Sequence, residues 1–162
     1  MPRIVLLPFS EEDAVAVLED RRSPLWADGY PTGGDVEMAA RIAGGTKQIV
    51  SEGFPWSVWT VALADSGLIV GGVGFHSEPD GAATVEVGYG IAQEFRGQGI
   101  ATAALLALLH MAQENGAARA VAGTDPDNIP SQRVLQKAGF SRTEDQDAEL
   151  RWAMDLTTKA GT

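Results

Sequence analysis

Residues 83–102 read ATVEVGYGIAQEFRGQGIAT, and the way this stretch changes character halfway decides the fold. Its first half alternates branched apolar residues with glutamate and glycine, the period-2 pattern of a half-buried strand over residues 83–91. Glu86, Gly88 and Gly90 then share one strand face, and Tyr89, an odd number of positions from Glu86, points to the other. About four residues beyond the strand, RGQGIAT opens an Ala- and Leu-rich run, IATAALLALLHMAQEN, stopped by Asn115 and Gly116: a long, largely buried helix. Gly97 and Gly99 let main-chain N–H groups approach a ligand, and the first turn of any helix leaves its donors unpaired, so the junction is an anion site with phosphate as the natural guest. No GxxxxGK[ST] loop occurs, and a dinucleotide fingerprint fails because its third glycine is Thr102.

Upstream, residues 56–64 and 68–75 are rich in β formers and are joined by the turn Asp65, Ser66, Gly67, while a second turn over residues 78–81 leads into 83–91. Three consecutive antiparallel strands result. Before them come a strand over residues 3–7 ended by Pro8 and a helix from Ser10, with Asp13 three residues on, through Leu18. A Pro- and Gly-marked loop over residues 21–34 and a helix over 35–43 follow, then a weakly helical or loop stretch from Gly44 to Gly53. Downstream lie a strand over 119–124, a helix from Ile129 or Pro130 to Ala138 stopped by Gly139, and a final strand over 149–156. The order β α α β β β α β α β, with strand, helix and strand in succession, implies a parallel crossover and hence an α/β chain, a mixed sheet flanked by helices. No repeat or linker divides it, so a single domain over residues 1–162 is expected.

Composition narrows the chemistry. There is no cysteine, which removes disulfides, thiolate zinc sites and a cysteine nucleophile, and two histidines are a poor basis for a metal site, so no metal is expected. Twelve Lys and Arg against 22 Asp and Glu leave a net charge of −10, the wrong sign for binding nucleic acid; it favours the approach of cations such as amines, although an acidic surface is more often only a solubility device. No run approaches the roughly 18 apolar residues of a membrane span, and residues 1–10 lack a signal-peptide pattern, so no membrane partner is expected and the cytoplasm is the expected compartment.

Two blocks together are more specific. RGQGIA carries Arg96, Gly99 and Ala101 in the form [QR]xxGx[GA], and DPDNIPSQRVLQKAGF over residues 125–140 places Asn128, Ser131, Val134, Leu135, Lys137, Gly139 and Phe140 at fixed intervals. In these blocks the chain resembles the GNAT superfamily of N-acetyltransferases, in its ribosomal-protein-alanine-acetyltransferase-like branch, over about residues 4–156. The resemblance implies a mixed sheet whose fourth and fifth strands splay to admit acetyl-CoA. Its diphosphate would rest on Arg96, Gly97, Gln98, Gly99, Ile100 and Ala101, and its pantetheine arm would pair with Tyr89, Gly90 and Ile91 and meet Asn128.

The reaction implied is direct attack of a neutral primary amine on the thioester. Glu86 would take the proton, directly or through water, or else orient the substrate ammonium; the bland alternative is a solvated strand glutamate. Many members of the family protonate the departing thiolate with a tyrosine whose counterpart here is Leu135, so Ser131 would supply the hydroxyl instead. Trp26 and Tyr30 lie where the family places its acceptor wall, although loop aromatics also anchor loops on cores. Trp56 and Trp59, three apart, would fall on opposite strand faces, Trp152 reads as core, His110 as structural, and His76, ending the third strand, as a turn or surface group within reach of the site. The acceptor is a peptide N-terminus or a small amine, with a non-catalytic acyl-CoA-binding module as the alternative; a homodimer is compatible with the resemblance.

Overall fold

Short polar side chains set the helix starts. The Ser10 hydroxyl accepts from the Asp13 N–H at 3.0 Å while the Asp13 carboxylate accepts from the Ser10 N–H at 2.8 Å, a reciprocal cap that opens α1, Glu11–Leu18. Thr32 and Asp35 repeat the device for α2, Gly33–Ala43. That helix begins two residues earlier than the sequence suggests, because the Thr32 cap draws Gly33 and Gly34, by themselves loop formers, into the first turn. These elements belong to a computed structural model that describes residues 2–44, 55–145 and 148–157; most of the stretch read as weakly helical or loop, from residue 45 on, lies outside them.

The strands are β1 (Ile4–Pro8), β2 (Val58–Leu63), β3 (Ile69–Phe75), β4 (Thr84–Ile91), β5 (Arg119–Thr124), β6 (Ser141–Arg142) and β7 (Leu150–Asp155). They form one sheet in the order β1-β2-β3-β4-β5-β7-β6, antiparallel at each junction except β4 with β5. The helix α3, Ile100–Glu114, is the crossover that makes that pair parallel, and α4, Ile129–Ala138, follows β5. The sequence reading omits β6, since two polar residues carry no alternation to read. Trp56 precedes β2 and meets Phe75 edge-on at 5.0 Å, whereas Trp59 lies within the strand and is buried.

Pairing between β4 and β5 runs only from Thr84↔Arg119 to Glu86↔Val121. Beyond it β4 continues along β3 to Gly71↔Ile91, and β5 continues along β7 to Thr124↔Leu150, so the two strands part and leave a wedge. The His76 N–H donates to the Glu86 carbonyl and the Ala92 N–H to the Val70 carbonyl, which fixes the even-numbered residues of β4 as those bonded to β3. The main-chain groups of Tyr89 and Ile91 therefore face the wedge. Core side chains such as Val61, Val73, Phe75, Leu105, Leu108, Leu135 and Trp152 fill both sides of the sheet, and no helix among the described residues is long and apolar enough to cross a membrane.

Candidate active site

The loop before α3 is shaped by two residues in the left-handed region, Gly97 at φ 77° and Gly99 at φ 82°, where a side chain would be strained. The Arg96 Nε donates to the Ile91 carbonyl at 3.1 Å and ties the loop to the end of β4. Gly99 caps α3 without a side-chain hydrogen bond, so the donors of the first turn line a cavity of about 650 Å³. Its floor is Tyr89, Gly90 and Ile91, and its far wall is α4 with Asn128, Ser131, Arg133 and Lys137. Three cations, Arg96, Arg133 and Lys137, thus gather in one place on a chain of net charge −10, which suits a polyanionic guest. Of the loop residues expected to hold it, Arg96, Gly97, Gly99, Ile100 and Ala101 line the cavity, while the Gln98 side chain turns back to the Glu94 carbonyl.

A second cavity, of about 410 Å³, shares Tyr89, Gly90, Asn128 and Ser131 with the first and opens on the other side of β4. Its lining is acidic: Asp35 and Glu37 come from α2, Glu86 from β4, and Asp125 and Glu149 from the segments flanking β5 and β7, set against Arg41 and His76. The parity of β4 sends Glu86, Gly88 and Gly90 to this side. A methyl group at Gly90 would lie 2.8 Å from the Thr32 hydroxyl, and one at Gly72 would strike the Asp35 carboxylate, so α2 can sit close only because this patch of sheet is bare.

Glu86 is the most heavily partnered of these carboxylates. The His76 Nδ1 lies 3.1 Å from one of its oxygens and an Arg151 guanidinium nitrogen 3.7 Å from the other, and Arg151 also pairs with Glu149 at 2.7 Å. The hydrogen bond from His76, followed by the charges of His76 and Arg151, outweighs partial burial and holds the Glu86 carboxyl below the usual carboxylate range. It is ionised at neutral pH, well suited to attracting an ammonium group and poorly suited to accepting its proton. Asp35 is 9% exposed, and burial pushes its carboxyl upward against two hydrogen bonds from Thr32, both landing on Oδ2.

Where the two cavities meet, the Tyr89 hydroxyl stands 2.7 Å from the Ser131 hydroxyl and 3.0 Å from the Ser131 carbonyl. Asn128 Oδ1 accepts from the Ser131 N–H at 3.2 Å, capping α4, which leaves its Nδ2 group on the cavity side. Leu135, one turn on, is fully buried. Two hydroxyls therefore occupy the junction, and the tyrosine among them reaches it from β4, not from α4.

Trp26 and Tyr30 stand elsewhere. Tyr30 is 3% exposed and packs edge-on against Trp26 at 5.1 Å, Arg22 donates to the Tyr30 and Ala27 carbonyls and lies over the Trp26 ring, and neither aromatic lines either cavity. They anchor the loop on the core in place of the expected acceptor wall. His110 pairs with Glu114 at 2.8 Å on the exposed side of α3. His76, Arg151 and the Tyr89 hydroxyl are site groups the sequence reading did not assign. The signal for His76 was the hairpin itself: Asp80 caps the turn by accepting from the Ala82 and Thr84 N–H groups, which sets His76 opposite Glu86.

Residues 3–141 match the family model of the acetyltransferase (GNAT) domain. The uncharacterized N-acetyltransferase YjdG of Bacillus subtilis (strain 168) is 32% identical over 83 residues, 51% of this chain and 49% of that protein, so the match spans about half of the curated relative. Ribosomal-protein-S5-alanine acetyltransferase from Vibrio fischeri superposes with a TM-score of 0.66 at 18% identity, covering 94% of this chain and 92% of its own. Mycobacterium smegmatis RimJ, in complex with CoA-disulfide, gives 0.64 at 23% identity, covering 94% and 81%. At such identities the structural likeness speaks for the fold, here a mixed sheet opened between β4 and β5, and the family match over most of the chain speaks for descent. This chain belongs to the GNAT acetyltransferase domain family.

Proposed function

We propose that the chain transfers the acetyl group of acetyl-CoA to a primary amine by direct attack. One observation carries this reading: a cation-lined cavity at a helix N-terminus and an acidic cavity meet at Tyr89, Gly90, Asn128 and Ser131, where β4 and β5 part. The residues present fit acetyl-CoA. Arg96, the glycines of the loop and the first turn of α3 take the diphosphate, the main chain of Tyr89 and Ile91 offers an open strand edge to the pantetheine, and Asn128 offers its amide. Cytoplasmic acetyl-CoA would be the donor pool.

The second cavity supplies the acceptor. Its carboxylates, with Glu86 held ionised, draw in a cationic amine, the N-terminus of a peptide or a small amine. At pH 7 an α-amine is neutral in roughly one molecule in ten and a lysine-like amine in fewer than about one in a thousand, so the second demands more help in losing its proton. As the new C–N bond forms and the C–S bond breaks, the thiolate takes the bonding electron pair. The Ser131 hydroxyl hydrogen-bonds it, and the Tyr89 hydroxyl at 2.7 Å can pass a proton to Ser131 in turn.

Acetyl-CoA offered with a panel of small amines and short peptides of varied N-terminus, read by thiol release and by product mass, tests the reading. Stoichiometric release of coenzyme A and acetylated amine is expected. Tight binding of acetyl-CoA by calorimetry with no transfer to any amine would overturn it in favour of an acyl-CoA-binding module.

A further inference from the structure

We propose that His76 is the group that accepts the proton of the attacking amine, and that Glu86 is the positioning residue that fixes its imidazole for the task. The inference rests on the acetyl-transfer reading above. An ionised carboxylate only accepts hydrogen bonds, so with Glu86 Oε2 at 3.1 Å the His76 Nδ1 must carry the hydrogen, and a neutral ring is left with a bare lone pair on Nε2. The backbone fixes where that lone pair lies. The His76 N–H donates to the Glu86 carbonyl at 2.9 Å, and the His76 carbonyl accepts from Arg41 of α2 at 3.5 Å.

The ring then lies over β4 at Gly88. A methyl group added there would stand 2.7 Å from Nε2, so the imidazole occupies the space that any other residue would fill. Gly88 is the neighbour of Tyr89, whose main chain faces the wedge, and both line the acidic cavity together with His76. Nε2 is thus on the acceptor side of the strand along which the pantetheine would run. The His76 side chain is 39% exposed, enough to hand its proton to water afterwards.

The charged groups around the ring are Glu86 from β4, Arg151 and Glu149 acting through Glu86 from β7 and the residue before it, Arg41 against the main chain, and Asp35 and Glu37 across the cavity. Carboxylates outnumber cations among them. Glu86 is the weaker candidate for the proton itself, its carboxyl being held below the usual carboxylate range by the His76 hydrogen bond first and by the Arg151 charge as well, whereas imidazole is the side chain that ordinarily titrates nearest neutrality. The step balances: the amine nitrogen bonds to the acetyl carbon, its proton passes to Nε2, the C–S bond breaks with its electrons on sulfur, and the imidazolium returns its proton to water.

Two measurements test this. The first is the pH profile of kcat/KM with acetyl-CoA and the best amine of the panel, for the wild-type chain, His76→Gln and Glu86→Gln. Glutamine at 76 keeps a donor toward Glu86 but cannot take a proton. The expected result is a loss of about 100-fold in kcat, an ascending limb reduced to the ionisation of the amine alone and a KM for acetyl-CoA within about threefold of wild type, while Glu86→Gln displaces the enzyme's contribution to the limb without abolishing it. An active His76→Gln with kcat within about threefold and an unaltered limb would overturn the proposal. The second is ¹⁵N NMR of the wild-type chain at about pH 8, which stands whether or not the variants fold; with only two histidines the signals are few. A His76 ring protonated on Nδ1 is expected, and one protonated on Nε2 would overturn the proposal while leaving the acetyl-transfer reading intact. A wild-type chain that acetylates none of the amines defeats that reading and the proposal with it, a pattern distinct from two equally active proteins.

Discussion

Glu86 shows how one side chain serves both stability and function. Its carboxyl is held below the ordinary carboxylate value, about 4.3, by the His76 hydrogen bond first and by the charges of His76 and Arg151 after it. A group lowered on folding contributes stability that is fully present above its unfolded value and is lost as pH falls through its folded one. Wild type should therefore be more stable than Glu86→Gln at pH 7, with the gap closing progressively as the pH falls below the ordinary carboxylate value of about 4.3, as read by urea unfolding at each pH. Solvent screening at a side chain 37% exposed keeps that gap below about 1 kcal/mol; a gap that does not shrink as the pH falls below the ordinary carboxylate value would mean that shape and not charge holds Glu86. The residue was legible in the sequence as a carboxylate among glycines on one strand face, because parity within a strand is local. Its partners were not: His76 depends on the register across a turn, and Arg151 on the pairing Gly123↔Arg151 between strands far apart in sequence. Trp26 and Tyr30 were ambiguous for a related reason, since what a loop aromatic packs against is settled by tertiary contacts such as the Arg22 staple.

At the scale of elements, helices were read to within a residue or two because caps are local chemistry: Ser10 with Asp13 opens α1 and Gly139 stops α4 as expected, while Asn128, expected as a cofactor contact, also caps α4. The exception, α2, starts early for the same kind of reason, its cap being Thr32. The N-terminus of α3 is the element on which cofactor binding depends, and Gly99→Asp probes it. Aspartate tolerates the left-handed backbone at φ 82° better than most residues, and its charge at the helix N-terminus would gain a favourable dipole interaction of about 0.3–1 kcal/mol. These effects nearly offset the strain, so the melting temperature should move by only a few degrees. The carboxylate would nevertheless occupy the anion site, and affinity for acetyl-CoA should fall more than about tenfold, a loss above 1.4 kcal/mol. Calorimetry giving unchanged affinity in a folded Gly99→Asp chain would remove this helix from the cofactor site.

For the whole molecule, the order of elements already requires a mixed sheet with one parallel crossover, but where β4 and β5 stop pairing is a property of two strands separated by a helix and had to come from the family resemblance. That parting, after Glu86↔Val121, makes the molecule an open clamp with an unused strand edge inside it. If the pantetheine arm adds to the edge as a strand would, hydrogen exchange should report it residue by residue. The N–H groups of Gly88 and Gly90 point at β3 and are bonded with or without ligand, whereas those of Tyr89 and Ile91 face the wedge. Saturating acetyl-CoA should therefore slow exchange at Tyr89 and Ile91 by on the order of tenfold or more relative to Gly88 and Gly90. Ligand also stabilises the folded state as a whole, by about 2.7 kcal/mol at a hundred times Kd, which slows every amide that exchanges through global unfolding. The diagnostic quantity is thus the difference between odd and even positions, and equal slowing at all four amides would reduce acetyl-CoA to a guest of the α3 terminus that never enters the wedge.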